Sequence, residues 1–312
     1  MLTEPIGVLV MAYGTPRSLA EVEPYYTHIR HGRKPTPALL DNLIERYRAI
    51  GGVSPLNDIT SAQASGIEHR LNRFGPGTFK VYLGMKHASP FIADAVVQMA
   101  RDGIRHAVSL VLAPHYSTMS VKTYQKEADD KAAELGIPSF VHVDSWHLEP
   151  LFIDLLADRV KTALKAFAPD AKVRVLFSAH SLPERILSLG DPYPQQLRET
   201  GDTVAKQIGL TNYSFAWQSA GRTDEKWLGP DILNVLRELH DGGEDNVVVC
   251  PAGFVSDHLE VLYDVDIECQ ATAQELGMHL TRTESLNADP RFLDMLSAVV
   301  LRRAEDLSGS GQ

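Results

Sequence analysis

Cysteine is nearly absent from this sequence, whose 312 residues include only Cys250 and Cys269. Two thiols are too few for a disulfide framework, for a cysteine-rich zinc site or for a four-cysteine iron–sulfur cluster. A chain with so little cysteine has to be held together by an apolar core. Hydrophobic residues make up 44% of the sequence, which is enough to build one.

Long apolar runs are also missing, because no stretch approaches the ~18 consecutive apolar residues that a membrane-spanning helix needs. The first residues, MLTEPIGVLVMAYGTP, have no basic segment before a short apolar run, and they predict a strand rather than a signal peptide. We therefore expect a cytoplasmic protein without a transmembrane segment. The formal net charge of −10 argues against general nucleic-acid binding.

Several sequence motifs that identify common enzyme classes are absent as well. The chain contains no GxGxxG or GxxxxGK[ST] loop, no HExxH and no GxSxG. Nucleotide binding through a phosphate loop is therefore not indicated.

Strand-like apolar segments alternate with helical segments along the whole chain. This alternation predicts an α/β fold, with parallel sheets that are covered by helices on both faces. The predicted strands are residues 7–13, 79–85, 107–114, 140–146, 173–179, 213–219 and 246–252.

Two parts of the sequence repeat each other in order. VLVMAYGTP (8–16) matches VLFSAHSLP (175–183), and SPFIADAVVQMARDG has the same pattern as GPDILNVLRELHDGG. We infer two similar Rossmann-like, doubly wound domains that face each other across a cleft, with ligands beyond the carboxyl ends of the strands. The predicted domains are 1–148, with an insertion at 25–55, and 149–289, followed by a C-terminal helix at 290–312 that packs back on the N-terminal domain.

The matched segments place a ring residue after a buried strand in each half, Tyr13 in one and His180 in the other. A neutral imidazole at a strand end can accept a proton near pH 7 or bind a divalent metal. The alternatives are a structural histidine and a tyrosine that belongs to the core.

Three carboxylates recur every four residues on a predicted helix at 257–276, which begins at Ser256 or Asp257. Residues four apart share one face of an α-helix, so like charges at this spacing repel one another. The pattern predicts either a solvated acidic face or a path for protons or cations. The three residues are Glu260, Asp264 and Glu268.

The predicted insertion is basic within an acidic protein. Between positions 28 and 48 there are five Arg or Lys side chains and two acidic ones, a net charge of +3. Arginine suits the planar recognition of carboxylates, so this excess suggests the capture of an anion. An ordinary basic surface is the alternative.

Several segments form an ordered set of motifs along the chain, and they include MAYGTP, YYTHIRHGRKP, LAPHYST, SAHSLPE, GDPYP, WLGPD and FVSDHLEVLYD. Taken together, these motifs resemble the ferrochelatase family over nearly the whole chain, and they are most similar to its coproporphyrin III branch. The resemblance implies a chelatase-like fold and a lyase of haem biosynthesis that inserts Fe²⁺, as substrate, into a free-base porphyrin. It also implies no permanently bound cofactor and, with only two cysteines, no iron–sulfur cluster.

The resemblance also implies roles for particular residues. His180, as base and metal contact, and Glu260, as metal and proton relay, would flank the metal on one face of the porphyrin. Asp264 and Glu268 would form a secondary metal or proton path that could hold Mg²⁺. The substrate-binding residues would be Tyr13, on the opposite face, together with Arg30, Arg46, Tyr47, Ser54 and Tyr124.

Four propionates on coproporphyrin III suit the arginine-rich insertion, whereas protoporphyrin IX carries two and its enzymes often have a longer apolar lip. The alternatives are a protoporphyrin IX ferrochelatase, a cobalt or nickel tetrapyrrole chelatase, and a non-enzymatic tetrapyrrole carrier. Cobalt enzymes usually have a second cleft histidine at the position that Tyr13 takes here. By resemblance we also expect a monomer that contacts a coprohaem decarboxylase transiently, while the side of iron entry stays open.

Overall fold

The computed structural model describes residues 4–73, 75, 77–221 and 223–309, and for residues 308 and 309 it describes only the backbone. The predicted start at residue 1 and the predicted end of the last helix at residue 312 lie outside the described residues. The chain forms two compact units. The first comprises the described residues up to Ala113, Ser120–Trp146 and the residues from Asn287 onward, and the second comprises Pro114–Met119 and His147–Leu286.

Each unit contains a four-stranded parallel sheet. In the first unit the strand order is β2-β1-β3-β4, and in the second it is β6-β5-β7-β8. The strands are β1 (Ile6–Ala12), β2 (Phe79–Met85), β3 (His106–Val111), β4 (Ser139–Val143), β5 (Arg174–His180), β6 (Tyr213–Gln218), β7 (Asn246–Cys250) and β8 (His279–Arg282).

Helices connect these strands and cover the sheets. They are α1 (Val22–Ile29), α2 (Pro37–Ala49), α3 (Leu56–Leu71), α4 (Ile92–Arg101), α5 (Val121–Leu135), α6 (Pro150–Leu164), α7 (Tyr193–Ile208), α8 (Ile232–Asp241), α9 (Leu259–Leu262), α10 (Gln270–Leu276) and α11 (Pro290–Gly309). Short 3-10 turns occur at Leu19–Glu21 and Glu184–Leu189, and a π-helix occupies Asp264–Cys269.

The central strands are buried on both faces. All seven residues of β1 are buried, and so are Val247, Val248, Val249 and Cys250 of β7. A parallel strand that is covered by helices on both sides has no solvated face, and this explains why these segments are continuous apolar runs without polar alternation.

The two units repeat each other in topology. The matched strands β1 and β5 occupy the same second position in their sheets. The strands next to them, β2 and β6, also end with the same backbone bond to a following proline, because Met85 N donates to Pro90 O in one unit and Trp217 N donates to Pro230 O in the other. The predicted α/β fold with two similar parallel-sheet domains is confirmed, and their placement across a cleft stays a prediction.

The predicted single helix at 257–276 is wrong. The chain is extended at His258, α9 begins only at Leu259, and a π-helix then interrupts the α-helical pattern before α10. Glu268 N donates to Tyr263 O at 2.9 Å, which is a bond over five residues instead of four. Glu260, Asp264 and Glu268 therefore do not follow one regular α-helical face.

Strand β8 and helix α1 were not predicted. Strand β8 has only four residues, HLTR, and α1 begins at Val22 and continues into the basic insertion. In the described part of the chain, no helix has both the length and the apolar character needed to cross a membrane.

Candidate active site

His180 lies at the carboxyl end of β5, where the buried strand reaches the surface. The residues before it are fully buried from Val175 to Ala179, whereas the His180 side chain is 32% exposed. Its Nδ1 donates a hydrogen bond to the carbonyl of Ser181. Because this bond holds a proton on Nδ1, Nε2 is the ring nitrogen that can exchange a proton or bind a metal ion.

The Glu260 carboxylate lies between two imidazoles. Oε1 is 3.4 Å from Nε2 of His180, and Oε2 is 3.5 Å from Nε2 of His258. His258 repeats the arrangement of His180, since its Nδ1 donates to the Ser256 carbonyl at 2.9 Å. Both rings therefore direct Nε2 at the same carboxylate.

This arrangement changes the charge expected on His180. Burial by itself lowers the pKa of His180, but the Glu260 carboxylate, the Ser181 carbonyl and Asp264 favour the charged form and together raise that pKa to about 9. Burial would raise the pKa of Glu260, but His180 and His258 outweigh it and hold the pKa well below its usual range. Without substrate, the pair is an imidazolium and a carboxylate at pH 7, which differs from the neutral imidazole expected from the sequence.

The end of strand β6 supports the Glu260 segment. The buried Gln218 amide donates from Nε2 to the Glu260 carbonyl at 3.0 Å and accepts from Ser178 Oγ at 2.9 Å. Ser219 has a φ of +61°, a left-handed conformation that is unusual for serine. In this conformation its hydroxyl donates to the Asp264 carboxylate.

Gly253 allows the loop after β7 to approach strand β5 beside His180. Its N–H donates to the Ser178 carbonyl at 3.0 Å. A Cβ at this position would lie 2.4 Å from the Cβ of Ala179 and 2.9 Å from its Cα. Only glycine fits this backbone-to-backbone contact.

Two aromatic rings lie near the His180 imidazole. The ring centroids of Trp227 and Phe254 lie 6.5 and 6.4 Å from that of His180, and Phe254 also packs on His258 at 4.8 Å. The Tyr193 hydroxyl donates a hydrogen bond to the His180 carbonyl at 2.9 Å. The imidazole is therefore held by its backbone, its Nδ1 bond and its apolar neighbours.

The other two predicted carboxylates, Asp264 and Glu268, are in different environments. Asp264 is buried and bonded to Ser219, whereas Glu268 is half-buried. No group of three or more His, Cys, Asp or Glu side chains in the described residues is arranged to hold a metal ion. The residues as placed do not form an Mg²⁺ site, so Mg²⁺ at this position stays a prediction from which we derive no step.

Tyr13 lies at the carboxyl end of β1 in the first unit, with 41% of the residue exposed. Its ring packs against His87 at 4.6 Å, and Nδ1 of His87 lies 2.9 Å from Nδ1 of His28. Burial, together with the charges of Lys86 and two histidines, lowers the pKa of His87 to about 3, so this ring is neutral at pH 7.

The residues that are predicted to bind the porphyrin propionates differ in their exposure to solvent. Arg30 and Arg46 are half-buried, and Arg30 lies over the Tyr26 ring at 5.7 Å. Tyr47, Ser54 and Tyr124 are buried. The Tyr47 hydroxyl is 2.9 Å from Thr15 Oγ1, and Lys86 Nζ lies 4.6 Å from the Tyr124 ring centroid. Substrate contacts from these five residues stay a prediction.

Sequence reasoning missed His258, Phe254, Gln218 and Ser219. His258 is two residues before Glu260, and in the predicted helix this spacing would have put the two side chains on different faces. The backbone at His258 is instead extended, with φ −160° and ψ 178°. The chain there does not follow the helical spacing, which is why His258 can face the carboxylate.

Comparisons with known proteins agree with this picture. The family model described as Ferrochelatase matches residues 5–304. The coproporphyrin III ferrochelatase of Halalkalibacterium halodurans is 53% identical over 305 residues, which cover 97% of this chain and 98% of the relative. The coproporphyrin III ferrochelatase of a Geobacillus species is 50% identical over 307 residues, with 97% and 99% covered.

A solved structure supports the fold independently of the sequence. The sirohydrochlorin chelatase SirB of Bacillus subtilis subspecies spizizenii, in complex with cobalt, superposes with a TM-score of 0.61 at 10% identity, covering 98% of both chains. At this identity the likeness concerns the fold alone. The match to the family model and the two close relatives show that this chain belongs to the ferrochelatase family, the lyases that insert a metal ion into a porphyrin.

Proposed function

We propose that this protein inserts Fe²⁺ into coproporphyrin III and forms Fe-coproporphyrin III, or coprohaem, in haem biosynthesis. The observation that carries the proposal is the Glu260 carboxylate between Nε2 of His180 and Nε2 of His258. The names of the relatives at 53% and 50% identity support the substrate, and the net charge of +3 in segment 28–48 suits a porphyrin with four propionates.

The reaction exchanges one Fe²⁺ for the two protons on the pyrrole nitrogens of the porphyrin. A site for it must present the metal, accept protons and release them. In this proposal the arriving Fe²⁺ takes the place of the proton on Nε2 of His180, and that proton leaves through the Glu260 carboxylate to solvent, so that His180 and Glu260 contact the metal together. When the metal passes to the porphyrin, Nε2 accepts one of the two pyrrole protons and becomes an imidazolium again, while the second pyrrole proton leaves through Glu260 to solvent.

Glu260 then relays protons or the next metal ion. Asp264, which accepts from Ser219, and Glu268 continue this route away from His180. His258 has its Nδ1 proton committed to Ser256, so its Nε2 can exchange a proton with Oε2 of Glu260. We include His258 as a second member of the relay.

Binding of the porphyrin is assigned to the first unit. Arg30 and Arg46 provide charge for the propionates, with Tyr47, Ser54 and Tyr124 as further contacts, and Tyr13 contacts the macrocycle face opposite to the metal. Iron enters as a substrate, and a coprohaem decarboxylase is a transient partner of a monomeric, cytoplasmic enzyme.

The test is an anaerobic competition between porphyrins. The purified protein is mixed with Fe²⁺ and either coproporphyrin III or protoporphyrin IX, and the loss of the free-base spectrum is followed over time. Fast metallation of coproporphyrin III alone supports the proposal. Preference for protoporphyrin IX contradicts the assigned substrate, and tight binding without metallation of either porphyrin contradicts enzymatic iron insertion.

A further inference from the structure

Arg282 ends strand β8, the edge strand that the sequence did not predict. It pairs with Val249 of β7, and the next residue, Thr283, donates its N–H to the Val249 carbonyl at 2.9 Å. The side chain of Arg282 is only 15% exposed. A mostly buried guanidinium must be paired, because leaving its charge without partners inside the protein is costly.

The partners of Arg282 come from two separate parts of the chain. Its Nε and Nη2 bind the two oxygens of Asp266 at 2.7 and 2.9 Å, which is a bidentate pair in the π-helix. Its Nη1 is 3.3 Å from Asp257 Oδ1 and 3.2 Å from Ser285 Oγ, while Ser285 itself donates to Asp257 at 2.7 Å. Nη1 also donates to the Thr283 carbonyl.

Asp257 and Asp266 lie at the two ends of the segment that contains His258 and Glu260. Asp257 immediately precedes His258, and Asp266 follows Asp264 by two residues, so Glu260 lies between the two contacts of one guanidinium. This segment changes from extended chain to a short α-helix and then to a π-helix. A backbone so irregular is not defined by repeating helical bonds alone, and it needs side-chain anchors.

The segment is also rich in negative charge. Asp257, Glu260, Asp264 and Asp266 fall within ten positions, and Arg282 contacts the carboxylates at both ends. Without it, mutual repulsion would favour a more open arrangement. A planar fork that binds one carboxylate with two parallel bonds fixes direction as well as distance, which a lysine at the same position does not do.

We propose that Arg282 is a positioning residue for metal transfer. By holding Asp257 and Asp266, it keeps segment 257–266 in the conformation that places the Glu260 carboxylate between His180 and His258. Arg282 acts through this segment and contacts neither metal nor porphyrin. This inference rests on the proposed function. It adds that metal transfer requires Arg282, a residue that is not one of the reacting groups.

The chain offers a matched control on strand β5. Arg174 binds Glu244 through two bonds of 3.0 and 2.7 Å and is 20% exposed. It begins the strand that His180 ends, so it lies six residues, about 20 Å, from the imidazole along the strand. Arg174→Gln removes a similar pair from the same unit without touching segment 257–266.

Kinetics of Arg282→Gln, Arg282→Lys and Arg174→Gln test the proposal. Fe²⁺ and coproporphyrin III are varied separately under anaerobic conditions. We expect R282Q to lower kcat/KM for Fe²⁺ about tenfold or more, as removal of groups that orient metal ligands does, with the KM for porphyrin unchanged. R282K should recover part of the loss, and R174Q should match the wild type.

A second readout separates this inference from the proposed function. The side-chain ¹⁵N resonances of His180 and His258 should move in R282Q, whereas that of His240, which pairs with Asp245, should not, and R174Q should leave the resonances of His180 and His258 unchanged. This comparison does not depend on turnover, so it holds even if the wild type fails to metallate coproporphyrin III. If R282Q is insoluble, R282K and Asp266→Asn provide the same comparison with smaller expected effects.

The inference is overturned if R282Q has wild-type kinetics and wild-type imidazole resonances. It is also overturned if R174Q shows the same loss of kcat/KM for Fe²⁺, because the effect would then reflect general destabilisation.

Discussion

Oε1 of Glu260 lies 3.4 Å from Nε2 of His180, although their residues are 80 positions apart in the sequence. The contact joins the end of strand β5 to the start of helix α9, so it depends on the fold of the second unit as a whole. Gln218 and Ser219 anchor the same segment from strand β6. The charge state of this pair decides when His180 can accept a proton.

We expect His180 to titrate near pH 9 in the protein without substrate. Its pKa is raised because the Glu260 carboxylate favours the imidazolium. Glu260→Gln removes that charge but leaves the burial, so the pKa of His180 should fall from its raised value. Histidine side-chain NMR over a range of about pH 5–10, which brackets the ordinary and the raised value, measures both pKa values. A wild-type pKa near 6.5 would contradict the charged pair.

Removing cations from the basic insertion tests the propionate assignment. Arg30→Ala and Arg46→Ala should each weaken coproporphyrin III binding, and the loss should shrink at high salt because screening already weakens the attraction. Fluorescence titration at low and high ionic strength measures the Kd.

Arg48→Ala is the matched control for the arginine variants. Arg48 is on the same helix as Arg46, is exposed and pairs with Glu45 at 2.5 Å. It carries the same charge but is not assigned to the substrate. Unchanged affinity in both R30A and R46A, or an equal loss in R48A, would remove the specific role of the two arginines.

Gly253→Ala should destabilise the protein by about 1–3 kcal/mol, because the new Cβ overlaps the backbone and side chain of Ala179, and either the loop after β7 or strand β5 must shift. Thermal or urea unfolding measures this change. Gly242→Ala is the control, since its nearest neighbours to a new Cβ are two carbonyl oxygens at 3.4 Å and its φ is −82°. Equal stability of G253A and wild type would contradict the close approach.

The Arg174–Glu244 pair should contribute to stability at neutral pH and not in acid. Arg174 holds the pKa of Glu244 at about 2, aided by Asn212 and Lys172 and opposed by burial. Because this folded pKa lies below the ordinary 4.5, the contribution is complete above pH 4.5 and is lost as pH falls through 2.

Glu244→Gln should therefore lower the free energy of unfolding by about 1–3 kcal/mol at pH 7. The difference from wild type should shrink as the pH falls below 4.5. Glu238→Gln, on the exposed face of α8, is the control and should change little at either pH. A difference for E244Q that grows in acid would contradict the assigned direction of the pKa shift.

The parts of the fold that could be predicted from the sequence are those that follow from the pattern of apolar residues along the chain. β1 is a continuous apolar run because both of its faces are covered, and its repeat in β5 reveals the second unit and places His180 at a strand end. Strand β8 was missed because its four residues, HLTR, are too short to show a pattern. It carries Arg282, so the anchor of the Glu260 segment was missed with it.

The π-helix could not be read from the sequence for a different reason. Helical spacing assumes bonds over four residues, whereas Glu268 bonds to Tyr263 over five. The same assumption puts His258 and Glu260 on different faces of a helix. The extended backbone at His258 instead brings its Nε2 to 3.5 Å from Oε2 of Glu260. Local irregularity of this kind is set by tertiary contacts, here from Gln218, Ser219 and Arg282, and periodicity carries no signal for it.

The most direct test of the central claim is stopped-flow metallation by His180→Ala. Porphyrin binding, followed by fluorescence, and Fe²⁺ insertion, followed by the free-base spectrum, are measured on the same samples without oxygen. The account predicts that H180A binds coproporphyrin III as the wild type does, while insertion slows by about 10²–10⁴-fold because the proton acceptor is gone. Insertion at the wild-type rate would contradict the role of His180 and with it the proposed route of metal and protons.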